Sequence, residues 1–208
     1  MTMMDIQIKR GYFPDLFTWK ELEYLINIRP LMTTERVFVL NYESYEWNDN
    51  DSWTLNPNCY PPSLLKQLIE DNICLMIDMS RCTEKINSFV KKLEKEYELP
   101  CDAHIYTCRN PKLDHPFGIH FDTQQNVIVQ CEGQTNFKVW DEVEDKSIKC
   151  DRMELNDDPI LDVDMNPGDA IWIPKYYPHL ATSKTPRLSV SFSQKHKTVF
   201  QDREWINL

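Results

Sequence analysis

Residues 118–140 read GIHFDTQQNVIVQCEGQTNFKVW, and how this stretch folds decides the rest. Asn126–Cys131 (NVIVQC) and Asn136–Trp140 (NFKVW) are short runs rich in β-branched and aromatic residues, separated by a turn at Gly133. Such runs predict strands. Further short extended runs are expected at Ala103–Cys108 (AHIYTC), Lys149–Leu155, Ala170–Ile173 (AIWI) and Arg187–Phe192 (RLSVSF), divided by Pro, Gly, Asn and Asp. Many short strands with little helix between them predict an antiparallel sandwich or barrel.

Before residue 101 the pattern is mixed. Thr18–Ile28 (TWKELEYLINI) places Leu22, Leu25 and Ile26 on one side of a helix, and Cys82–Tyr97 places Ile86, Phe89, Val90 and Leu93 at i, i+3, i+4 and i+7. Pro62–Asn72 is expected to be a third helix, with Ser63 as its N-cap. Arg36–Leu40 and Ile73–Ile77 read as strands. Trp47, Trp53 and Tyr60 lie in an irregular stretch and read either as a satellite core or as the wall of a substrate groove. The expectation is a mainly β (α+β) chain forming one structural unit. Residues 1–100 would be a helical and mixed segment packed on one sheet, and residues 101–208 the β core.

Composition removes several functions. With 208 residues there is room for one large domain, and 41% hydrophobic residues suffice for a real core. A formal charge of −10 makes nucleic acid an unlikely partner. Only 4 glycines are present, about 2% against an average near 7%, and neither phosphate-loop pattern occurs. Seven cysteines, an odd number without a CxxC pair, read as reduced buried thiols rather than a disulfide framework. The opening MTMMDIQIKR has no apolar signal region, and no uninterrupted apolar stretch is long enough to cross a bilayer. The expected location is the cytoplasm, with no membrane partner, and a homodimer is compatible with the sequence.

The chemistry concentrates in three places: His120-Phe121-Asp122, the run Asn166–His179 (NPGDAIWIPKYYPH) and Arg187-Leu188-Ser189. Residues i and i+2 of a strand face the same way, so His120 and Asp122 can present an imidazole and a carboxylate to one ion. His179, brought to the same face, would complete a 2-His-1-carboxylate triad, the arrangement of non-haem Fe(II) oxygenases. An isolated HxD also arises by chance at turns. His179 can equally be read as a hydrogen-bonded histidine near the surface, the reading given to His104, His115 and His196.

The order of these motifs resembles the JmjC-type cupin oxygenases, and most closely their ribosomal-protein hydroxylase and asparaginyl-hydroxylase branches. HxD, then Q-x-x-G, K-x-W, GD-x-x-W-I-P and a distal His occur in sequence across Cys101–Ser193. The resemblance implies a double-stranded β-helix, Fe(II) held by His120, Asp122 and His179, 2-oxoglutarate as co-substrate, and O2. The far carboxylate of the oxo acid then needs a cation. Relatives of this pattern carry a Lys two positions after the motif glycine, where this chain has Thr135. Strand alternation directs Arg187 into the barrel, and Arg-x-Ser on this strand resembles the clamp of other 2-oxoglutarate oxygenases, so Arg187 is favoured over Lys138. Asn126, Thr135, Tyr106 and Ser189 are the expected neutral donors.

The expected function is an Fe(II)- and 2-oxoglutarate-dependent oxygenase that hydroxylates a protein side chain, with a small-molecule substrate as the variant of that reading. The alternatives are a metal-binding cupin without 2-oxoglutarate chemistry (isomerase, dioxygenase or small-ligand binder) and a catalytically inactive partner-binding protein.

Overall fold

The computed structural model describes residues 5–28, 36–40, 54–55, 74–78, 83–109, 111, 118–146 and 153–194. Along the described chain run β1 (Gln7–Lys9), α1 (Trp19–Ile28), β2 (Arg36–Leu40), β3 (Thr54–Leu55), β4 (Cys74–Asp78), α2 (Glu84–Tyr97) and β5 (Cys101–Cys108). There follow β6 (Gln125–Glu132), β7 (Thr135–Val139), β8 (Leu161–Met165), β9 (Ala170–Ile173), β10 (His179–Ser183) and β11 (Arg187–Gln194). The Pro62–Asn72 helix and the Trp47, Trp53 and Tyr60 cluster fall outside the described residues.

Both helices start where their sequences provide caps. The Thr18 hydroxyl accepts from the Glu21 N–H and donates to the Glu21 carboxylate, a reciprocal box at the start of α1. Thr83 accepts from the Ile86 N–H at the start of α2, and Glu98, in the left-handed region at φ 54°, ends it. The predicted stripe Ile86, Phe89, Val90 and Leu93 is the buried face of α2.

The strands form two antiparallel sheets, one ordered β1-β9-β6-β11-β5-β4-β2-β3 and the other β10-β7-β8. The first hundred residues therefore do more than cover the large sheet, because β1 extends one end of it and β4, β2 and β3 the other. The helices lie on its outer side, where Ile86, Phe89 and Val90 share a core with Ile105, Val127, Val129, Val190 and Phe192. The second core lies between the sheets and combines Phe137, Val139 and Met165 of the small sheet with Ile171 and Ile173 of the large one. This is the double-stranded β-helix of the cupins.

Two glycines make close approaches. A Cβ on Gly133, at φ +76°, would stand 1.8 Å from the Pro186 carbonyl oxygen, so no other residue lets the β6–β7 turn meet the β10–β11 turn. Gly168, at φ +89°, turns the Asn166–Asp169 segment into β9 against Pro14.

Three strands depart from the expectation. Met153–Leu155, the described end of the Lys149–Leu155 run, is not in a strand; the strand lies later, at β8. There Leu161, Val163 and Met165 join the inner core, and Asp162 and Asp164 alternate outward. β1 pairs with β9 although only three residues long. β10 begins at His179 itself, in a stretch where the sequence pattern predicts no strand.

Candidate metal centre

His120, Asp122 and His179 offer donor atoms that all lie within 4.8 Å of one another. Backbone pairing brings them together across the barrel. The His120 N–H donates to the His179 carbonyl at 3.1 Å, and the His179 N–H donates to the His120 carbonyl at 2.7 Å. Tyr176, at φ 67°, donates its N–H to the Asp122 carbonyl at 2.8 Å, and Trp140 donates to the Pro178 carbonyl at 2.9 Å. A left-handed aromatic residue is strained, and this one sits where the chain turns to deliver the distal histidine.

The imidazoles are set for coordination. His120 Nδ1 lies 3.1 Å from the Gly118 carbonyl and His179 Nδ1 lies 3.0 Å from the Tyr177 carbonyl. A carbonyl only accepts, so each Nδ1 carries a proton, the tautomer that in a neutral imidazole leaves Nε2 its lone pair for a ligand. Burial, and then the neighbouring His120, hold the pKa of His179 well below the ordinary imidazole value. His179 Nε2 is 3.7 Å from Asp122 Oδ2, but with a neutral ring the pair is a juxtaposition of two donor atoms rather than an ion pair. Two imidazole nitrogens and one carboxylate oxygen on one side of an ion suit Fe(II) and leave positions open. The donor set fits that metal.

The face of the large sheet towards this site is polar. On β11 Leu188, Val190 and Phe192 turn to the helices, so Arg187, Ser189, Ser191 and Ser193 turn to the barrel. On β5 Cys101, Ala103 and Ile105 turn to the helices, leaving Asp102, His104 and Tyr106 on the barrel side, paired with Ser193, Ser191 and Ser189 respectively. His104, read from sequence as a surface histidine, thus belongs to the site face.

At the opposite end from the metal ligands, Thr135 pairs with Ser183. Arg187 follows Ser183 by one tight turn, which is stitched to β7 by Lys184 N–H to Gln134 O (2.8 Å) and Gln134 N–H to the Thr185 hydroxyl (2.8 Å). Arg187 is 7% exposed, and the Thr135 hydroxyl, fully buried, has no hydrogen-bond partner among the described residues. Lys138 is elsewhere. β7 keeps an unbroken register with both neighbours, so its side chain is on the outer face, 3.6 Å from the Asp162 carboxylate. Lys138 there borders an open groove of about 1000 Å³ lined also by Arg10, Asp162, Asp164, Asp169 and Lys184, and its place as an alternative clamp is corrected.

Asn126, expected as a neutral donor to the co-substrate, stands beside the metal-site carboxylate. Its amide donates to Asp122 Oδ2 and accepts from the Ser193 hydroxyl at 2.6 Å. Ser193 escaped the sequence reading because the last strand was ended at Phe192; extending the alternation by one residue would have found it.

Residues 79–201 match the JmjC domain family. The chain belongs to the JmjC domain family. Among JmjC relatives, the bifunctional lysine-specific demethylase and histidyl-hydroxylase NO66 of Drosophila persimilis is 22% identical over 204 residues, spanning 95% of this chain and 28% of the relative. The Drosophila willistoni protein of the same name is 20% identical, over 97% of this chain and 26% of its own length. The chain therefore spans about a quarter of the curated relatives it matches. Escherichia coli YcfD, described as a ribosomal oxygenase in complex with cobalt and 2-oxoglutarate, superposes with a TM-score of 0.61 at 17% identity, covering 92% of this chain and 48% of that one. At that identity the likeness speaks for the fold. None of the helices among the described residues is long and apolar enough to cross a membrane.

Proposed function

We propose that this JmjC protein is an Fe(II)- and 2-oxoglutarate-dependent oxygenase that hydroxylates a protein side chain. The observation that carries the reading is the pair of histidines whose Nδ1 atoms face backbone carbonyls while one donor atom from each of His120, Asp122 and His179 lies within 4.8 Å of the others. His120, Asp122 and His179 would hold the iron. When bound, iron with 2-oxoglutarate supplies the oxidising chemistry, which the protein's own side chains lack.

The chain's residues do the holding. Arg187 would take the far carboxylate of the oxo acid in its planar fork, with Thr135, Ser183, Tyr106 and Ser189 as neutral donors at the closed end. From His179 to Ser183 the strand rises about 13 Å, a span that a five-carbon diacid and an arginine side chain can bridge together. Losing the family lysine at position 135 is thus offset from the neighbouring turn. A protein substrate is supported by the names of the relatives, a histidyl-hydroxylase and a ribosomal oxygenase. A cytoplasmic location accords with Cys101, Cys108 and Cys131 being buried thiols outside any disulfide.

Anaerobic titration of the Fe(II)-loaded protein with 2-oxoglutarate tests the reading. A weak visible charge-transfer band that is absent in His179→Ala is expected. Iron binding without that band would favour a cupin that does not use the oxo acid.

A further inference from the structure

Asp122 has two carboxylate oxygens, and only one can face an ion shared with His120 and His179. Oδ2 is the oxygen 3.7 Å from His179 Nε2, and it is the oxygen that receives the Asn126 amide. Asn126 lies on β6, and its own carbonyl oxygen receives the hydroxyl of Ser193 on β11 at 2.6 Å. Asn126 and Ser193 are 4% and 8% exposed, so water does not compete freely for these bonds. The three groups form a chain in which every donor points the same way: hydroxyl to amide oxygen, amide N–H to carboxylate.

That direction is forced by chemistry. An ionised carboxylate only accepts, so the amide must present its NH2 to Asp122, and its Oδ1, turned away and buried, then requires a donor. The Ser193 hydroxyl is that donor. Each bond polarises the next, and a hydrogen bond to a metal-binding oxygen fixes its direction and tempers its charge. Ser193 is tied in turn by backbone pairing to Asn126 on one side and Asp102 on the other, so the carboxylate is held by the frame of the large sheet.

We infer that Asn126 and Ser193 are positioning residues for the metal, Ser193 acting through Asn126 to aim Asp122. The inference rests on the metal-binding part of the proposed function.

The test is a Co(II) titration of the metal-free full chain, read by visible absorption, with circular dichroism as the check of folding. Asn126→Ala is expected to raise the Co(II) dissociation constant about 10- to 100-fold and Ser193→Ala roughly 3- to 10-fold. Ser193→Thr, which keeps the hydroxyl, should stay within about twofold of wild type. The double variant should be no weaker than Asn126→Ala alone, because a residue acting through another adds nothing once its partner is gone. Additive losses, or wild-type affinity in folded Ser193→Ala, would overturn the relay. So would an Asn126→Ala protein with intact Co(II) affinity and weakened 2-oxoglutarate binding, which would assign Asn126 to the co-substrate. If Asn126→Ala does not fold, Ser193→Ala against Ser193→Thr decides the question. A wild-type chain that takes up no Co(II) would instead sink the metal-centre reading itself.

Discussion

Along β11 successive side chains enter two different interiors. Leu188, Val190 and Phe192 enter the space under the helices, where they join the apolar cluster and Phe192 meets Phe89 edge-on at 4.7 Å. Arg187, Ser189, Ser191 and Ser193 enter the barrel and are nearly as inaccessible, at 4 to 8% exposure. Burial alone therefore does not separate a stabilising core from a binding cavity. The separation lies in what the buried atoms meet: methyl groups and rings on one side, hydroxyls, an amide and the metal ligands on the other. Substitutions on the two faces of this one strand should accordingly fail in different ways.

The largest effect is expected on the apolar face. Phe192→Ala removes a fully buried ring and should cost ~3–5 kcal/mol in chemical denaturation. The fraction that remains folded should keep wild-type Co(II) affinity, and a parallel loss of metal affinity would show that the two interiors are not separable. Arg187→Ala should do the reverse. Removing a charge-assisted partner is expected to weaken 2-oxoglutarate binding by ~2–3 kcal/mol, about 30- to 160-fold, measured by titration of the charge-transfer band. Introducing Thr135→Lys into Arg187→Ala should restore part of that affinity, since both positions serve the same end of the barrel. No restoration would separate the two positions.

An intermediate effect is expected where β1 meets the barrel. Asp169 accepts from the Gly11 N–H at 2.9 Å, the Asn166 N–H at 2.9 Å and Arg10 at 2.6 Å. Burial opposes ionisation of this carboxyl, but the two N–H groups and the guanidinium outweigh it and hold its pKa below the usual range. A carboxyl with a depressed folded-state pKa contributes stability that is present above its unfolded value, about 4, and is lost as pH falls through the folded value. Asp169→Asn should cost ~2 kcal/mol at neutral pH. It should also flatten the decline in stability below about pH 4; an unchanged acid limb would show that the carboxylate is not what holds the turn.

Much of the architecture was legible because its signals are local. The α2 stripe and the strand pattern of β5, β6, β7, β9 and β11 follow from repeats of 3.6 or 2 within one segment, whereas His120 and Asp122 lie outside the strands and His120 is held by an isolated bridge to His179. What escaped is either weakly patterned or non-local. In β8 the order Leu-Asp-Val-Asp-Met hides its alternation behind two acids and resembles a solvated loop. In β10 the residues His-Leu-Ala-Thr-Ser include few strong strand formers, and the strand exists because β7 pairs with it. The bond from Ser193 to Asn126 spans 67 residues, and no local pattern announces a pairing of that length.

The smallest effect gives the finest comparison, because it sets stability against function at one atom. The Thr135 hydroxyl is fully buried with no hydrogen-bond partner among the described residues, and an unsatisfied buried hydroxyl costs free energy. Thr135→Val keeps the β-branched shape that suits a strand and deletes only the polar atom. Were the barrel interior an ordinary core, the change would be purely beneficial, so a gain of ~1 kcal/mol in denaturant stability is expected in the absence of ligand. Were it a cavity kept polar for an anion, the same change should weaken 2-oxoglutarate binding about fivefold, the loss of one neutral hydrogen bond at ~1 kcal/mol. Both results together would mean that the stability forgone in the empty barrel returns as co-substrate affinity. A gain in stability with unchanged affinity would place the co-substrate away from β7 and leave Arg187 to hold it from β11 without help from Thr135.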